Sequence, residues 1–223
     1  MAPYQLIVFD WDGTLMDSEA RIVASMQGAF RALGLEPPAP VAVRNVIGLG
    51  LDQAIATLLP DADADLRQRL IKPYRERFLG NEQTPTPLFE GAAELITDLH
   101  AAGHLLAVAT GKSRAGLDKA LRETGLGEWF HATRCADDTF SKPHPAMLLE
   151  LMEQLGTAPA ATLMVGDTEY DLEMARNAGV AAVAVGYGAH TPARLLALQP
   201  LTCAMSIADL RAWLHRPHWS MTE

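Results

Sequence analysis

The fold of this chain is decided by the stretch Ile7-Val8-Phe9-Asp10-Trp11-Asp12-Gly13-Thr14-Leu15. An apolar run ends there at two acids that lie one residue apart. A short apolar run that stops at a glycine turn is typical of a buried parallel strand. Residues two apart in extended backbone face the same side, so the carboxylates of Asp10 and Asp12 can face one site. Open parallel sheets place their ligands at this end of their strands.

Asp10 and Asp12 would place two negative charges close together, and this closeness needs an explanation. Like charges this close repel each other unless a cation lies between them or one carboxyl keeps its proton. Gly13 permits a tight turn, and Thr14 adds a hydroxyl and an N–H near an anion drawn to the turn. The alternative is a strand-end turn in which Asp10 and Asp12 only cap the next helix.

Three more sets of polar residues follow apolar or proline-rich segments farther along the chain. They are Thr110 with Gly111, Lys142 in a Ser-Lys-Pro-His-Pro segment, and Asp167 with Asp171. Each has an ordinary alternative: Thr110 as a helix cap, Lys142 as a solvated loop residue, and the acids as partners of a helix dipole. Because the carboxyl ends of parallel strands meet at one edge, all of them can instead share one crevice.

Strands and helices alternate in most of the chain, which predicts βαβ units and an α/β fold with a doubly wound parallel sheet. Apolar runs predict strands at residues 105–109, 132–136, 162–165 and 180–185. The pattern contains no sixth strand between residue 186 and the end.

Residues 17–83 show helical spacing without a strand pattern, and Asp17-Ser18 can cap the first helix of this segment. The segment is too long for one crossover and too helical for a loop. We expect an α-helical cap domain at 16–87, inserted into an α/β core formed by 1–15 and 88–223. The expected hinges lie near Leu15–Ser18 and Thr84–Pro87.

Four motifs occur in order: Asp-x-Asp-Gly-Thr-Leu from residue 10, Thr110 after a strand, Lys-Pro-x-Pro from residue 142, and Gly-Asp-x-x-x-Asp from residue 166. In this order they resemble the motifs of the haloacid dehalogenase-like (HAD) hydrolases, which are mostly phosphatases. The resemblance covers residues 4 to about 185. The helical insertion resembles the cap of the C1-capped subgroup, which contains phosphoglycolate phosphatases and β-phosphoglucomutases.

The resemblance implies a Mg²⁺-dependent phosphomonoesterase that forms an aspartyl-phosphate. Asp10 would be the nucleophile and Asp12 the general acid and base. Thr110 and Lys142 would hold and neutralise the phosphoryl group, together with the Gly13 and Gly111 amides. The implied magnesium ligands are the Asp10 carboxylate, the Asp12 backbone carbonyl, Asp167 and, through water, Asp171. The resemblance gives Lys112 no role.

Other activities of the family fit the residues less well. Haloacid dehalogenases do not have the second acid, and the lysine that phosphonatases use has no counterpart between Leu15 and Leu35. β-Phosphoglucomutases carry a histidine where this chain has Ile22. A phosphomutase of that type and a non-catalytic binding protein on the same scaffold remain the alternatives.

Substrate choice is predicted to depend on the segment 44–51, whose Gly48 and Gly50 permit close approach to the site. Arg44 or Arg21 could bind a substrate carboxylate, and the alternative for each is an exposed helix arginine that is only solvated. A small phosphorylated metabolite from the phosphoglycolate or sugar phosphate class is the expected partner.

A net charge of −9 argues against binding to nucleic acid or to an anionic membrane. No apolar run reaches the length of a membrane span, and no basic segment typical of a signal peptide begins the chain. The two cysteines, Cys135 and Cys203, lack metal-ligand spacing and suit a reducing compartment. We therefore expect a cytoplasmic protein, either monomeric or homodimeric.

Overall fold

A computed structural model describes residues 4–80 and 84–215, and a six-stranded sheet forms its centre. The order of the strands is β3-β2-β1-β4-β5-β6, and every neighbouring pair is parallel. The strands are β1 (Leu6–Phe9), β2 (Leu105–Thr110), β3 (Ala132–Cys135), β4 (Thr162–Gly166), β5 (Ala181–Val185) and β6 (Cys203–Ala204).

Strand β1 lies in the middle of the sheet because all four of its residues are apolar and can be buried on both faces. It pairs with β2 on one side, where Val8 opposes Ala107, and with β4 on the other, where Val8 opposes Met164. The chain order along the sheet reverses between β1 and β4. A parallel sheet opens its ligand crevice at such a reversal.

In the described part of the chain, six α-helices cover the two faces of the sheet. They are α5 (Ala92–Ala101), α6 (Arg114–Thr124), α7 (Ala146–Leu155), α8 (Glu169–Asn177), α9 (Pro192–Leu196) and α10 (Ile207–Leu214). Alternate residues of β1 point to opposite faces, so Ile7 packs with α5, α6 and α10, whereas Val8 packs with α7 and α8. The predicted α/β fold with a doubly wound parallel sheet is confirmed.

The segment between β1 and α5 is helical, and it has a hydrophobic cluster of its own. Its helices are α1 (Glu19–Ala32), α2 (Pro40–Arg44), α3 (Leu51–Leu58) and α4 (Ala64–Leu79), and no strand occurs at positions 17–80, all of which are described. Met26, Phe30, Ile55 and Leu70 meet in the cluster and are almost completely buried. This packing supports the prediction of a separate cap domain.

The two connections between the helical segment and the sheet run side by side. The Asp17 N–H donates to the Pro87 carbonyl over 2.8 Å, and the Phe89 N–H donates to the Leu15 carbonyl over 3.0 Å. Both expected hinges thus lie at or next to the two backbone segments that these hydrogen bonds join. The structure does not describe residues 1–3, 81–83 and 216–223, which fall within the proposed domain ranges 1–15, 16–87 and 88–223. The expectation about a signal peptide rests on the start of the chain and therefore also lies outside the described residues.

Two local details differ from the sequence prediction. Strand β6 was not predicted because two residues are too few to form an alternating or continuous apolar pattern. Ser18 occupies the N-cap position of α1, but its side chain makes no capping bond.

Across the two described stretches, no helix combines the length and the apolar character that crossing a bilayer requires.

Candidate active site and metal centre

Asp10 follows β1 directly and is 1% exposed. Its N–H donates to the Val165 carbonyl of β4 over 2.9 Å, which extends the pairing of the two strands by one residue. The ammonium of Lys142 lies 2.9 Å from Asp10 Oδ1 and 2.6 Å from Asp171 Oδ1. Lys142 is completely buried, so its ammonium interacts with these two carboxylates and not with solvent.

Asp167 comes directly after β4, and its carboxylate is fixed by two donors. The Thr14 hydroxyl donates to Asp167 Oδ1 over 2.8 Å, and the Ala189 N–H donates to Oδ2 over 2.8 Å. Thr14 therefore positions an acid, whereas the sequence favoured a contact with an anion. Gly13 has a φ of +84°, and a Cβ there would lie 2.2 Å from Asp167 Oδ2. Only glycine fits this turn without displacing the acid.

Asp171 lies one turn into α8 and faces back toward the strand ends. Its Oδ2 accepts the Thr168 N–H over 3.0 Å and the Thr168 hydroxyl over 2.7 Å, while its Oδ1 accepts Lys142. The residue thus caps its helix and contributes to the site with the same carboxylate.

The cluster carries more negative charge than Lys142 can balance. Burial, opposed by Lys142 and reinforced by Asp171, raises the pKa of Asp10 to about 7. Burial together with the charges of Asp10 and Asp171 raises the pKa of Asp167 well above its usual range. Burial lowers the pKa of Lys142, but the two carboxylates outweigh that effect and raise it. The arrangement favours an additional cation.

The donor set fits a divalent cation. One carboxylate oxygen from each of Asp10, Asp167 and Asp171 lies within 4.8 Å of the other two. Asp10 Oδ2 is buried and has no hydrogen-bond partner among the described residues. Burying a carboxylate oxygen without a hydrogen-bond donor costs folding free energy unless the oxygen binds a cation. Hard oxygen ligands of this kind are typical of magnesium sites.

Asp12 has different surroundings and lies outside that cluster. Lys112 Nζ lies 2.7 Å from its Oδ1 and 2.8 Å from its Oδ2. The Ser18 hydroxyl donates to Oδ1 over 2.6 Å, which explains why Ser18 does not cap α1. Asp12 therefore lies only two residues after Asp10 but is neutralised by a separate lysine.

A cavity of about 270 Å³ lies between the strand ends and the helical segment. Its sheet-side wall is polar and contains Asp10, Asp12, Thr110, Gly111, Lys112 and Ser113. Its other wall is mainly apolar and contains Ile22, Met26, Val46, Ile47, Leu49, Tyr74 and Phe78. The cavity thus offers charged and hydrogen-bonding groups on one side and apolar contacts on the other.

The turn at Gly48 closes over the strand ends. A Cβ on Gly111 would lie 2.5 Å from the Gly48 carbonyl oxygen, so the two backbones are in direct contact. The Gly50 N–H donates to the Ser141 hydroxyl over 2.7 Å, and the Tyr170 hydroxyl donates to the Asn45 carbonyl over 2.7 Å. These bonds hold the helical segment against the sheet.

The predicted site residues fall into three groups. Asp10, Asp12, Thr110 and Gly111 line the cavity, and Lys142, Asp167 and Asp171 lie directly behind it. The alternative role of Thr110 as a helix cap is not needed, because Ser113 caps α6. Gly13 and Thr14 position Asp167.

The two predicted arginines do not meet the cavity. Arg44 is exposed and ion-paired with Glu19, and it is absent from the cavity lining. Arg21 donates to the Gly80 carbonyl over 2.6 Å. Sequence reasoning missed Tyr74, Arg75 and Phe78 of α4, which do line the cavity. Their only signal was an aromatic pair at helical i, i+4 spacing, and that spacing also suits an ordinary packed face.

The chain matches known proteins over almost all of its length. A family model described as haloacid dehalogenase-like hydrolase matches residues 7–185. A probable phosphatase IndB from Dickeya dadantii is 38% identical over 216 residues, covering 94% of this chain and 93% of the relative. A phosphoglycolate phosphatase from Agrobacterium fabrum is 35% identical, covering 87% and 85%. The crystal structure of a predicted phosphoglycolate phosphatase from Haemophilus somnus superposes with a TM-score of 0.86 and 25% identity, covering 96% and 99%.

The metal centre can be tested without an activity assay. We expect Mg²⁺ to raise the melting temperature of the protein, since a ligand that binds only the folded state stabilises it by about 2.7 kcal/mol at about 100 times its Kd. Asp167→Asn should abolish this rise, because the amide removes one charged ligand. Asp52→Asn is the matched control, since Asp52 is an exposed acid that lines the same cavity. Equal Mg²⁺-induced shifts in both variants would contradict the assignment.

Proposed function

The chain belongs to the haloacid dehalogenase-like hydrolase family, and on that premise we propose that it is a Mg²⁺-dependent phosphomonoesterase acting on a small phosphorylated metabolite. The observation that carries the proposal is the presence of two differently neutralised acids, Asp10 and Asp12, on the wall of one cavity. One acid can attack phosphorus while the other moves a proton. A binding protein on this scaffold would have no need for both.

In the first step, an Asp10 oxygen attacks phosphorus in line with the ester bond. The P–O bond breaks with its electron pair on the leaving oxygen, and Asp12 in its protonated form gives that oxygen a proton. In the second step, a water molecule gives a proton to Asp12 and attacks the aspartyl-phosphate. Inorganic phosphate is released, and Asp10 returns to its original state.

Other residues of the chain hold the phosphoryl oxygens and balance their charge. The Thr110 hydroxyl and the Gly111 amide are available on the cavity wall. Lys142 neutralises Asp10, so an anionic nucleophile can stay close to an anionic substrate. Donors that are already fixed in place stabilise charge that develops in the transition state without further reorganisation.

Asp10, Asp167 and Asp171 would hold Mg²⁺, with the Asp12 backbone carbonyl as a further ligand. When bound, the metal supplies positive charge that screens the substrate from the carboxylates and polarises a phosphoryl oxygen.

The cavity supports a small substrate whose leaving group contacts an apolar wall. Ile22 contributes to that wall at the position where the resembling phosphomutases carry a histidine, so a hydrolase fits better than a mutase. Arg75, rather than Arg44, is the cavity arginine that a second anionic group of the substrate could reach. A phosphoglycolate-like substrate would supply such a group, as the names of the relatives suggest.

We further propose that the protein works in the cytoplasm, since both cysteines are free thiols and suit a reducing compartment.

A panel of phosphorylated metabolites that includes 2-phosphoglycolate, assayed for phosphate release, tests this function. We expect turnover in Mg²⁺, none in EDTA, and recovery when Mg²⁺ is restored, because the carboxylates repel the substrate without the metal. Full activity in EDTA would remove the metal from the account. Activity on no phosphomonoester would overturn the proposed function.

Asp12→Asn tests the assignment of the proton carrier. We expect turnover of an alkyl phosphate to fall about 10²- to 10⁴-fold, the usual contribution of general acid–base catalysis. An aryl phosphate with a good leaving group should lose less, because its leaving oxygen needs less help from an acid. Steady-state rates on both esters provide the comparison, and near-wild-type rates on the alkyl phosphate would show that the role is misassigned.

A further inference from the structure

Lys112 is a buried cation that the proposed mechanism leaves without a function. Its side chain is 5% exposed, and its ammonium bonds to both oxygens of Asp12. Its backbone is fixed on both sides: the N–H donates to Thr110 Oγ1 over 3.2 Å, and the carbonyl accepts the Ala136 N–H over 3.1 Å. A solvated surface lysine would have none of these constraints.

The two oxygens of Asp12 are not equivalent. Oδ1 accepts both the Ser18 hydroxyl and Lys112, whereas Oδ2 accepts Lys112 only. Oδ2 therefore keeps an acceptor position free in a residue that lines the cavity. The Ser18 bond thereby leaves Oδ2 available to a substrate, while Lys112, which bonds to both oxygens, fixes the orientation of the carboxylate.

The same ammonium is held from the other side by the helical segment. Lys112 Nζ lies 4.4 Å from the ring centroid of Phe78, within the range of a cation–π contact. Phe78 belongs to α4 and stacks on Tyr74 at a centroid distance of 5.7 Å. Lys112 is thus placed where the sheet edge and the helical segment meet.

We propose that Lys112 is a positioning residue that aims the Asp12 carboxylate, and that Phe78 holds Lys112 in place only while the helical segment covers the site. The proposal rests on the proposed phosphatase function. It makes proton transfer depend on cap closure, because Phe78 moves with α4 while Asp12 and Lys112 stay on the sheet. The ester therefore reacts efficiently only when the helical segment covers the site.

Lys112→Met tests the first part, with Lys119→Met as the matched control, since Lys119 pairs on the surface of α6 with Glu123. On the best alkyl phosphate of the panel, we expect kcat of Lys112→Met to fall about 10- to 100-fold with little change in KM. A misplaced catalytic group typically costs up to about 100-fold. An aryl phosphate with a good leaving group should lose much less, and Lys112→Arg should recover part of the loss.

Four outcomes would overturn this part. The first is an unchanged rate in Lys112→Met, and the second is a rise in KM with unchanged kcat, which would make Lys112 a substrate ligand. The third is an equal loss of rate on the alkyl and aryl esters. The fourth is an equal loss of rate in the control variant Lys119→Met. Wild-type turnover in the same assay tests the proposed function separately. A wild type that hydrolyses the esters beside an unchanged Lys112→Met overturns the role of Lys112 alone, whereas an inactive wild type overturns both.

Phe78 variants test the link to the cap, and they keep the proposal testable if Lys112→Met does not fold. Phe78→Leu should lower kcat on the alkyl phosphate about three- to tenfold, the value of a partly desolvated cation–π contact. Phe78→Tyr, which keeps the ring over the ammonium, should lose clearly less than Phe78→Leu. In the double variant with Lys112→Met, the loss should equal that of Lys112→Met alone. Multiplied losses, or equal effects of leucine and tyrosine, would overturn the link.

Discussion

The contact between the Lys142 ammonium and the carboxylates of Asp10 and Asp171 makes the rest of the site possible. All three groups are at most 1% exposed. A buried carboxylate is stable only when it is paired and hydrogen-bonded, and removing one partner from such a group typically costs about 3–5 kcal/mol. Even with Lys142 present, the pKa of Asp10 is raised to about 7, so the cluster remains short of positive charge. That shortage makes the three carboxylates a suitable donor set for a divalent cation.

The sheet supplies the geometry that this charge cluster needs. Asp10 and Asp167 follow β1 and β4, which are neighbours, so residues far apart in sequence meet at one edge. Gly13 brings the first turn close enough for Thr14 to hold Asp167. The fixed polar groups therefore belong to the sheet, while the opposite wall of the cavity belongs to the helical segment.

Much of the fold and of the polar site could be predicted from the sequence, because both depend on patterns of neighbouring residues. Apolar runs mark the central strands, and the acids and Lys142 follow motifs with fixed spacing. Strand β6 escaped prediction because two residues form no pattern. The placement of Arg44 outside the cavity has a tertiary reason: spacing along α2 cannot tell whether a side chain faces the cavity or Glu19. Likewise, no local signal pairs Lys112 with Asp12, which lies 100 positions away.

The central claim is that Asp10 becomes the covalent carrier of the phosphoryl group. Rapid quenching of the enzyme during turnover of an aryl phosphate, followed by borohydride reduction and peptide mass mapping, tests it directly. Reduction of an aspartyl-phosphate yields homoserine, and the account predicts homoserine at position 10 and at no other acid. Unmodified Asp10 during demonstrated turnover under conditions that accumulate the intermediate, or a phosphoryl group on another residue, would contradict it.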